Sequence, residues 1–191
     1  MMSFKFLVLF TIAATLVWCG FVWTYHQLFA WAEWVPGINI VYFPHGLRMI
    51  LVILFAEAGA LGIVIGSMIG GLDLIRVNPE LGLTHSVVAG AAVWLAARFV
   101  IKPSHEPSLL PQTAGGIAAI DGRSLVLLAF VSSVLNSLGH VLGWLLFDTE
   151  AKQLEVRFAT MFTGDLLGAV ILLYALRALI LFIERNQTPR S

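Results

Sequence analysis

Apolar runs long enough to cross a lipid bilayer restrict this chain to one class of fold. A helix needs about 20 apolar residues to span the hydrocarbon. The 191 residues therefore allow roughly five or six spans with short connections. Hydrophobic residues make up 59% of the sequence and charged residues 12%, which is more apolar surface than a soluble core of this length could bury. We predict an all-α, polytopic transmembrane helix bundle that forms one integral membrane domain over residues 1–191.

Charge and cysteine content narrow the partners that such a bundle can have. The formal charges balance to zero and form no basic run, so we expect no nucleic acid partner and no polybasic lipid-binding patch. The single cysteine, Cys19, excludes an internal disulfide and a multi-cysteine metal site, and we expect it to be buried and inert. We predict membrane lipids as partners, no metal and no cofactor.

Four apolar runs are bracketed by turn residues and charges. The first follows Lys5 and continues through Trp23 without a small-residue cleavage site, so we interpret it as an uncleaved span. The other three cover roughly residues 83–101, 124–147 and 158–183. Prolines and a glycine pair in segment 102–123 predict a polar, irregular loop between two of these spans.

The stretch "NIVYFPHGLRMILVILFAEAGALGIVIGSMIGG" allows two interpretations. Pro44 within the stretch and Pro36 just before it argue against one uninterrupted helix. In a five-span chain, residues 48–71 form one span. In a six-span chain, one span from about residue 38 to 57 is interrupted near Pro44, and residues 58–71 return as a short sixth span.

The distribution of basic residues favours six spans with both termini in the cytoplasm, because this arrangement follows the positive-inside rule. With five spans the two sides carry nearly equal charge. The six-span arrangement places Lys5, Arg98, Lys102, Arg123, Arg185 and Arg190 inside, Arg76, Lys152 and Arg157 outside, and Arg48 within the membrane.

Small residues recur at every fourth position in the short span that the six-span interpretation places over residues 58–71. They are Ala58, Gly62, Gly66 and Gly70. Together they form a face without large side chains, on which a neighbouring helix can approach closely. We predict that this face packs against another helix in the centre of the bundle.

Polar residues inside the spans are the candidates for a site. An ionisable group in hydrocarbon costs about 2.5–3.5 kcal/mol on insertion scales, so it calls for a partner or a water-filled cavity. In the six-span arrangement six polar residues fall in the outer half of the bilayer, one of which is His85. We predict that the other five bind a ligand: His45, Arg48, the neutral Asn136, His140 and Asp165.

Helix geometry relates three of these residues to one another. Asn136 and His140 share one helix face with Ser133. His140 and Asp165 stand at similar depths on antiparallel neighbours, which predicts a hydrogen bond or ion pair between them. This pair is interpreted either as part of a ligand site or as a purely structural contact between helices.

Arg48 follows Pro44 closely and also has two interpretations. The sequence "FPHGLR" suits a helix break whose free backbone groups face a cavity, and a guanidinium near the positive end of a helix binds carboxylates or phosphates. Alternatively, Arg48 extends to the lipid headgroups and His45 is interfacial. We expect Glu57 at a solvated turn and His85 at the interface.

The same stretch resembles the start of the MASE1 family of bacterial membrane sensor domains. The resemblance rests on Phe43, Pro44 and Gly46, followed by the glycine-rich helix with Gly62 and Gly66. It implies a multi-helix bundle of the inner membrane that detects a signal for histidine kinases or diguanylate cyclases. His45 and Arg48 add charge where the family pattern is more apolar.

Several functions agree with these features. We expect a membrane sensor or ligand-binding module without catalytic residues, which binds a small anionic ligand and acts through a partner protein or a second copy of itself. The alternatives are a small transporter or its substrate-binding subunit, a haem protein that uses histidines on facing helices, and an accessory subunit of a larger membrane complex.

Overall fold

The computed structural model describes residues 3–29, 33–35, 38–101, 120–148 and 152–187. Within this part of the chain, two short antiparallel strands, β1 (Glu33–Val35) and β2 (Ile38–Asn39), precede the second helix. The helices are α1 (Phe4–Phe29), α2 (Phe43–Phe55), α3 (Glu57–Gly70), α4 (Leu72–Val77), α5 (Pro79–Val100), α6 (Gly122–Phe147) and α7 (Leu154–Gln187).

Four of these helices are long and apolar enough to cross a membrane: α1, α5, α6 and, over Leu154–Ile183, α7. The helices α2 and α3 are apolar but shorter. The all-α class predicted from the sequence is therefore confirmed, and the four long apolar helices are consistent with the predicted integral membrane protein. Most of the predicted polar loop, residues 102–119, lies outside the described residues, and its last two residues already belong to α6.

The chain reverses direction between α2 and α3. Ala56 joins the two helices with φ 50° and ψ −121°, a backbone conformation that non-glycine residues rarely adopt. The backbone of Leu51 lies so close to Gly59 that an added Cβ would be 2.7 Å from the Leu51 carbonyl carbon. The single helix over residues 48–71 that the five-span interpretation requires is therefore not formed.

Pro44 stands at the start of α2, so the predicted interruption within a helix is wrong. Residues 38–39 are in a strand and residues 40–42 are not helical. Proline lacks a backbone N–H and has a φ suited to the first helical turn, which explains why the helix starts at this position. The segment is thus a short helix entered from extended chain.

The short helices run alongside long ones. A Cβ added to Gly62 would be 2.9 Å from the Thr15 nitrogen of α1, and Gly66 lies against Trp18 further along the same helix. From Gly62 to Gly66 the neighbouring residue on α1 moves from Thr15 to Trp18, so both residue numbers increase together and α1 and α3 are parallel. The helix α2 is likewise parallel to α7, because Gly168 lies against Tyr42 and Gly46 against Leu172.

Helix α5 runs opposite to α3 and α6. Gly90 lies against Ala60 of α3, while Arg98 forms an ion pair with Glu57 at the start of that helix. Gly139 and Gly143 of α6 lie against Val88 and His85 of α5. Thus α1, α3 and α6 point one way, and α2, α5 and α7 point the other.

The small-residue face of α3 is only partly used for packing. Ala58 is fully buried, and Gly62 and Gly66 contact α1. Gly70 differs from the prediction, since a Cβ built on it would have no neighbour within 4 Å among the described residues. A cavity opens between α1 and α3 at this level and Gly70 lines it.

The core lies where α2 is surrounded by its neighbours. Its fully buried side chains include Met49, Ile63, Val93, Leu128 and Leu173. Lipid tails are as apolar as these side chains, so close van der Waals packing and hydrogen bonds between helices hold such a bundle together.

Candidate functional site

Four of the five predicted site residues meet in the interior of the bundle. His45 and Arg48 come from the first turns of α2, Asn136 from α6 and Asp165 from α7. Their exposed fractions are 0%, 6%, 2% and 1%, respectively. The start of α2 lies against Gly168, roughly 20 Å along α7 from Leu154 at 1.5 Å per residue. Residues 45 and 48 therefore face the middle of the neighbouring helices.

The Asn136 side chain connects the buried cation to the buried carboxylate. Arg48 Nη1 donates a hydrogen bond to Asn136 Oδ1 at 3.1 Å. Asn136 Nδ2 donates to Asp165 Oδ2 at 2.6 Å. Because an amide offers an acceptor at one end and donors at the other, both partners fix its orientation.

The Arg48 guanidinium has an unused donor. It lies over the rings of Trp18 and Tyr42, with Cζ 4.9 Å and 5.6 Å from the ring centroids. Its Nε is buried and has no hydrogen-bond partner among the described residues. The interpretation in which Arg48 extends to the headgroups is therefore wrong, and the protein encloses a group that is always charged.

His45 stands between α6 and α7. Its Nε2 lies 3.0 Å from Ser132 Oγ, and its Nδ1 lies 3.5 Å from Asp165 Oδ2. His45 thus lies between Ser132 and Asp165, as the histidine of a hydrolase triad lies between its serine and its aspartate. Ser132 is 0% exposed and its Oγ also donates to the Ala129 carbonyl. A nucleophile has to reach its substrate, so in this conformation the three residues hold helices together.

The predicted hydrogen bond between His140 and Asp165 is not formed. His140 Nδ1 donates to the Asn136 carbonyl at 2.9 Å, and its ring lies against His85 of α5 with centroids 4.4 Å apart. Asn136, one turn earlier on α6, donates a hydrogen bond to the Asp165 carboxylate instead. His140 therefore lies one turn away from the polar cluster and faces a different helix.

His85 belongs to an aromatic group at the end of α6. Its Nε2 donates to the His140 carbonyl at 3.2 Å, and its ring meets Trp144 edge-on. His85 is partly buried, so it does not lie freely at the interface as predicted. Among the described residues, no group of three or more His, Cys, Asp or Glu side chains could hold a metal ion.

The Tyr25 side chain of α1 and a backbone carbonyl of α7 hold the extended segment that leads into α2. The Asn39 amide donates to the Tyr25 hydroxyl at 2.7 Å, and this hydroxyl donates to the Val41 carbonyl at 2.6 Å. The Tyr42 N–H donates to the Gly164 carbonyl at 2.8 Å. These bonds satisfy backbone groups that a helix would otherwise pair, and they fix the depth at which α2 begins.

A cavity of about 470 Å³ reaches the Arg48 side chain. It lies between α1 and α3, and Ser67, whose buried Oγ has no hydrogen-bond partner among the described residues, borders it. Its lining consists of Trp18, Cys19, Val22, Trp23, His26, Tyr42, Arg48, Gly66, Ser67, Ile69 and Gly70. The side chain of a buried cation, whose Nε has no partner among the described residues, thus borders a cavity.

Sequence patterns missed several of these residues. Ser132 stands four positions before Asn136, so its place on the same helix face could have been recognised. Arg177 lies inside the apolar run of α7 with its Nε buried and without a partner among the described residues, and a search for charges within spans finds it. Trp18, Tyr42 and Ser67 carry no such signal.

Comparison with known proteins found no match for the chain among family models, curated proteins or solved structures.

Proposed function

We propose that this protein is a ligand-binding sensor module of the bacterial inner membrane, which binds a small anion at Arg48 and passes its bound state to a partner protein. One observation carries the proposal. Arg48 is 6% exposed, its Nε has no partner among the described residues, and it borders a cavity.

Electrostatics explain why an anion suits this position. Removing a cation from water is costly unless a countercharge or hydrogen bonds replace the water. Asp165 supplies a carboxylate, but Asn136 stands between it and the guanidinium. An acidic group in the cavity could accept a charge-assisted hydrogen bond from the guanidinium.

The start of α2 adds to the attraction. A helix N-terminus carries a partial positive charge, and that of α2 has no side-chain cap. Arg48 and this helix end therefore act in the same direction on an anion.

The proposed topology has six membrane crossings with both termini in the cytoplasm. The alternating directions of the helices support it, because α2 runs antiparallel to α1 and α3, and α3 runs antiparallel to α5. Charge supports it as well, since most Lys and Arg residues then lie on the cytoplasmic side.

The sensor role is supported by the resemblance to the MASE1 family and by the position of α2. This helix carries Arg48 and contacts both α6 and α7 through His45. A ligand at Arg48 therefore acts on two helices at once, and a partner protein on their outer faces can detect the change.

Native mass spectrometry of the detergent-solubilised protein tests the proposal. We expect a bound small molecule that is present in the wild type, absent in Arg48→Gln and present in the matched control Arg76→Gln, whose side chain is exposed. Thermal unfolding with added benzoate or inorganic phosphate provides a second readout. A wild-type protein without adduct, whose melting temperature neither anion raises, contradicts the proposal.

A transporter is the second candidate, because α2 begins inside the bundle and transporter sites are typically built at such discontinuous helices. Proteoliposomes distinguish the two functions. A sensor binds the anion without moving it, whereas a transporter releases a loaded anion across the bilayer and loses this flux in Arg48→Gln.

A further inference from the structure

The cavity beside Arg48 has two chemically different ends. At its inner end, Arg48 lies over the rings of Trp18 and Tyr42. At its outer end the lining residues Trp23 and Ile69 are 68% and 52% exposed. The charged end is therefore buried in protein, and the apolar end opens on the surface.

This opening lies near the outer surface of the membrane in the proposed topology. Trp23 stands six residues before the end of α1 at Phe29, roughly 9 Å along the helix at 1.5 Å per residue. The exposed residues around it on the same helix are of both kinds: Val17 and Leu28 are apolar, whereas Thr24, His26 and Gln27 are polar. The opening therefore lies at the boundary between hydrocarbon and head groups, where amphiphilic molecules reside.

From this arrangement we infer that the ligand is an amphiphilic anion, with one acidic head group and an apolar tail, which enters sideways between α1 and α3. The inference rests on the proposed function, because it specifies what binds at Arg48. The acidic head pairs with the Arg48 guanidinium, and the Ser67 side chain also borders the cavity. Arg48 Nε and Ser67 Oγ are buried and lack partners among the described residues. The tail lies along Trp18, Val22 and Ile69.

The size of the cavity agrees with such a molecule. Its volume of about 470 Å³ falls within the range of about 300–1,000 Å³ typical of small-molecule sites. The glycines of α3 create part of this space, since Gly66 and Gly70 have no side chains to fill it. A free long-chain carboxylate and an anionic phospholipid share the required chemistry.

Fluorescence quenching by brominated amphiphiles tests the inference, since bromine quenches tryptophan on contact and Trp18 and Trp23 line the cavity. The protein is placed in nanodiscs of phosphatidylcholine at about pH 9, where a carboxylate is ionised. Dibromostearate should quench in a saturable way. The neutral dibromostearyl alcohol should give only the unsaturable quenching of a dissolved lipid.

Two variants separate the site from the surrounding lipid. Arg48→Gln should weaken saturable quenching about tenfold or more, which corresponds to the loss of a charged hydrogen bond. Gly70→Phe should abolish it by filling the opening, and the open surroundings of Gly70 make the variant compatible with folding. Gly20→Phe is the matched control, because Gly20 is equally open and does not line the cavity.

Brominated phosphatidylglycerol identifies the source of the ligand. Saturable quenching by this lipid indicates a membrane phospholipid, and saturable quenching by dibromostearate alone indicates a free acid. Equal saturation by the alcohol and the carboxylate, or unchanged binding in Gly70→Phe, overturns the inference. If benzoate stabilises the wild type but not Arg48→Gln while no brominated amphiphile gives saturable quenching, the result supports the anion site and contradicts the inference that its ligand is an amphiphile. If neither probe binds, both proposals fall.

Discussion

Asn136 determines whether the buried polar cluster is satisfied, because its amide is bonded to a cation on one side and to a carboxylate on the other. Replacing it with Leu keeps a similar volume and removes both hydrogen bonds. We expect Asn136→Leu to lower the free energy of unfolding by about 2–4 kcal/mol, since it leaves two buried charged groups without this partner. Equilibrium unfolding in mixed detergent micelles measures the change.

Ser133 provides the control for this substitution. It lies on the same helix and is fully buried, but its Oγ has no hydrogen-bond partner among the described residues. Ser133→Ala should therefore change the stability little. Equal losses in the two variants would mean that the Asn136 bridge contributes nothing specific.

At the residue scale the sequence predicted which polar groups meet, but not which atoms pair. Intramembrane polar residues need partners, and this rule brought Arg48, Asn136 and Asp165 together. The predicted partner of Asp165 was His140, one turn away from the actual one. Depth counted from helix ends cannot resolve a turn of 5.4 Å, and it does not reveal which neighbour a helix face contacts.

At the element scale, α3 depends on glycine where it meets α1. A Cβ at Gly62 would lie 2.9 Å from the Thr11 carbonyl oxygen, and a backbone neighbour cannot move aside easily. We expect Gly62→Leu to separate the two helices. The free energy of unfolding should fall by about 1–3 kcal/mol, the usual cost of overpacking. Gly70→Leu is the control, and its unfolding curve should match that of the wild type.

The start of α6 carries a carboxylate cap that titrates outside the membrane span. Asp121 accepts a hydrogen bond from the Ser124 hydroxyl at 2.6 Å and from the Arg123 and Ser124 N–H groups. These bonds, first that of the hydroxyl, lower the pKa of Asp121 from its usual 3.8. The stabilisation is therefore fully present above the unfolded value of 3.8 and is lost as the pH falls through the lower folded-state pKa.

Amide hydrogen exchange, corrected for its intrinsic pH dependence, measures this effect. Protection of the first turn of α6 should decline as the pH falls below 3.8, and Asp121→Ala should lack that protection at every pH. The first turn of α5 is the internal control, because the neutral Asn78 caps it. A decline of the same size in both helices would contradict the assignment.

The elements themselves show where sequence reasoning ends. Apolar runs of sufficient length located α1, α5, α6 and α7. The boundary between α2 and α3 depends on Ala56, whose left-handed backbone has no sequence signal. Only the charge distribution favoured two crossings over one in residues 38–71, and this argument concerns the whole chain.

At the scale of the whole molecule, helix direction predicts which residues share a side of the membrane. In a chain with Cys19 replaced by Ala, single cysteines at positions 3 and 185 should be protected from an impermeant maleimide in intact spheroplasts. Cysteines at positions 77 and 152 should react. Five crossings would place the first two positions on opposite sides, so labelling of only one of them contradicts six crossings.

Arg48 provides the most direct measurement, because the account requires its Nε–H to be enclosed and free to bind an acidic group. In protein labelled with ¹⁵N-arginine, the Arg48 Nε–H resonance is assigned by its loss in Arg48→Lys. We predict slow solvent exchange compared with the exposed Arg76 and a downfield shift on addition of benzoate or stearate. Exchange as fast as that of Arg76, without a shift by either anion, would contradict an enclosed anion site.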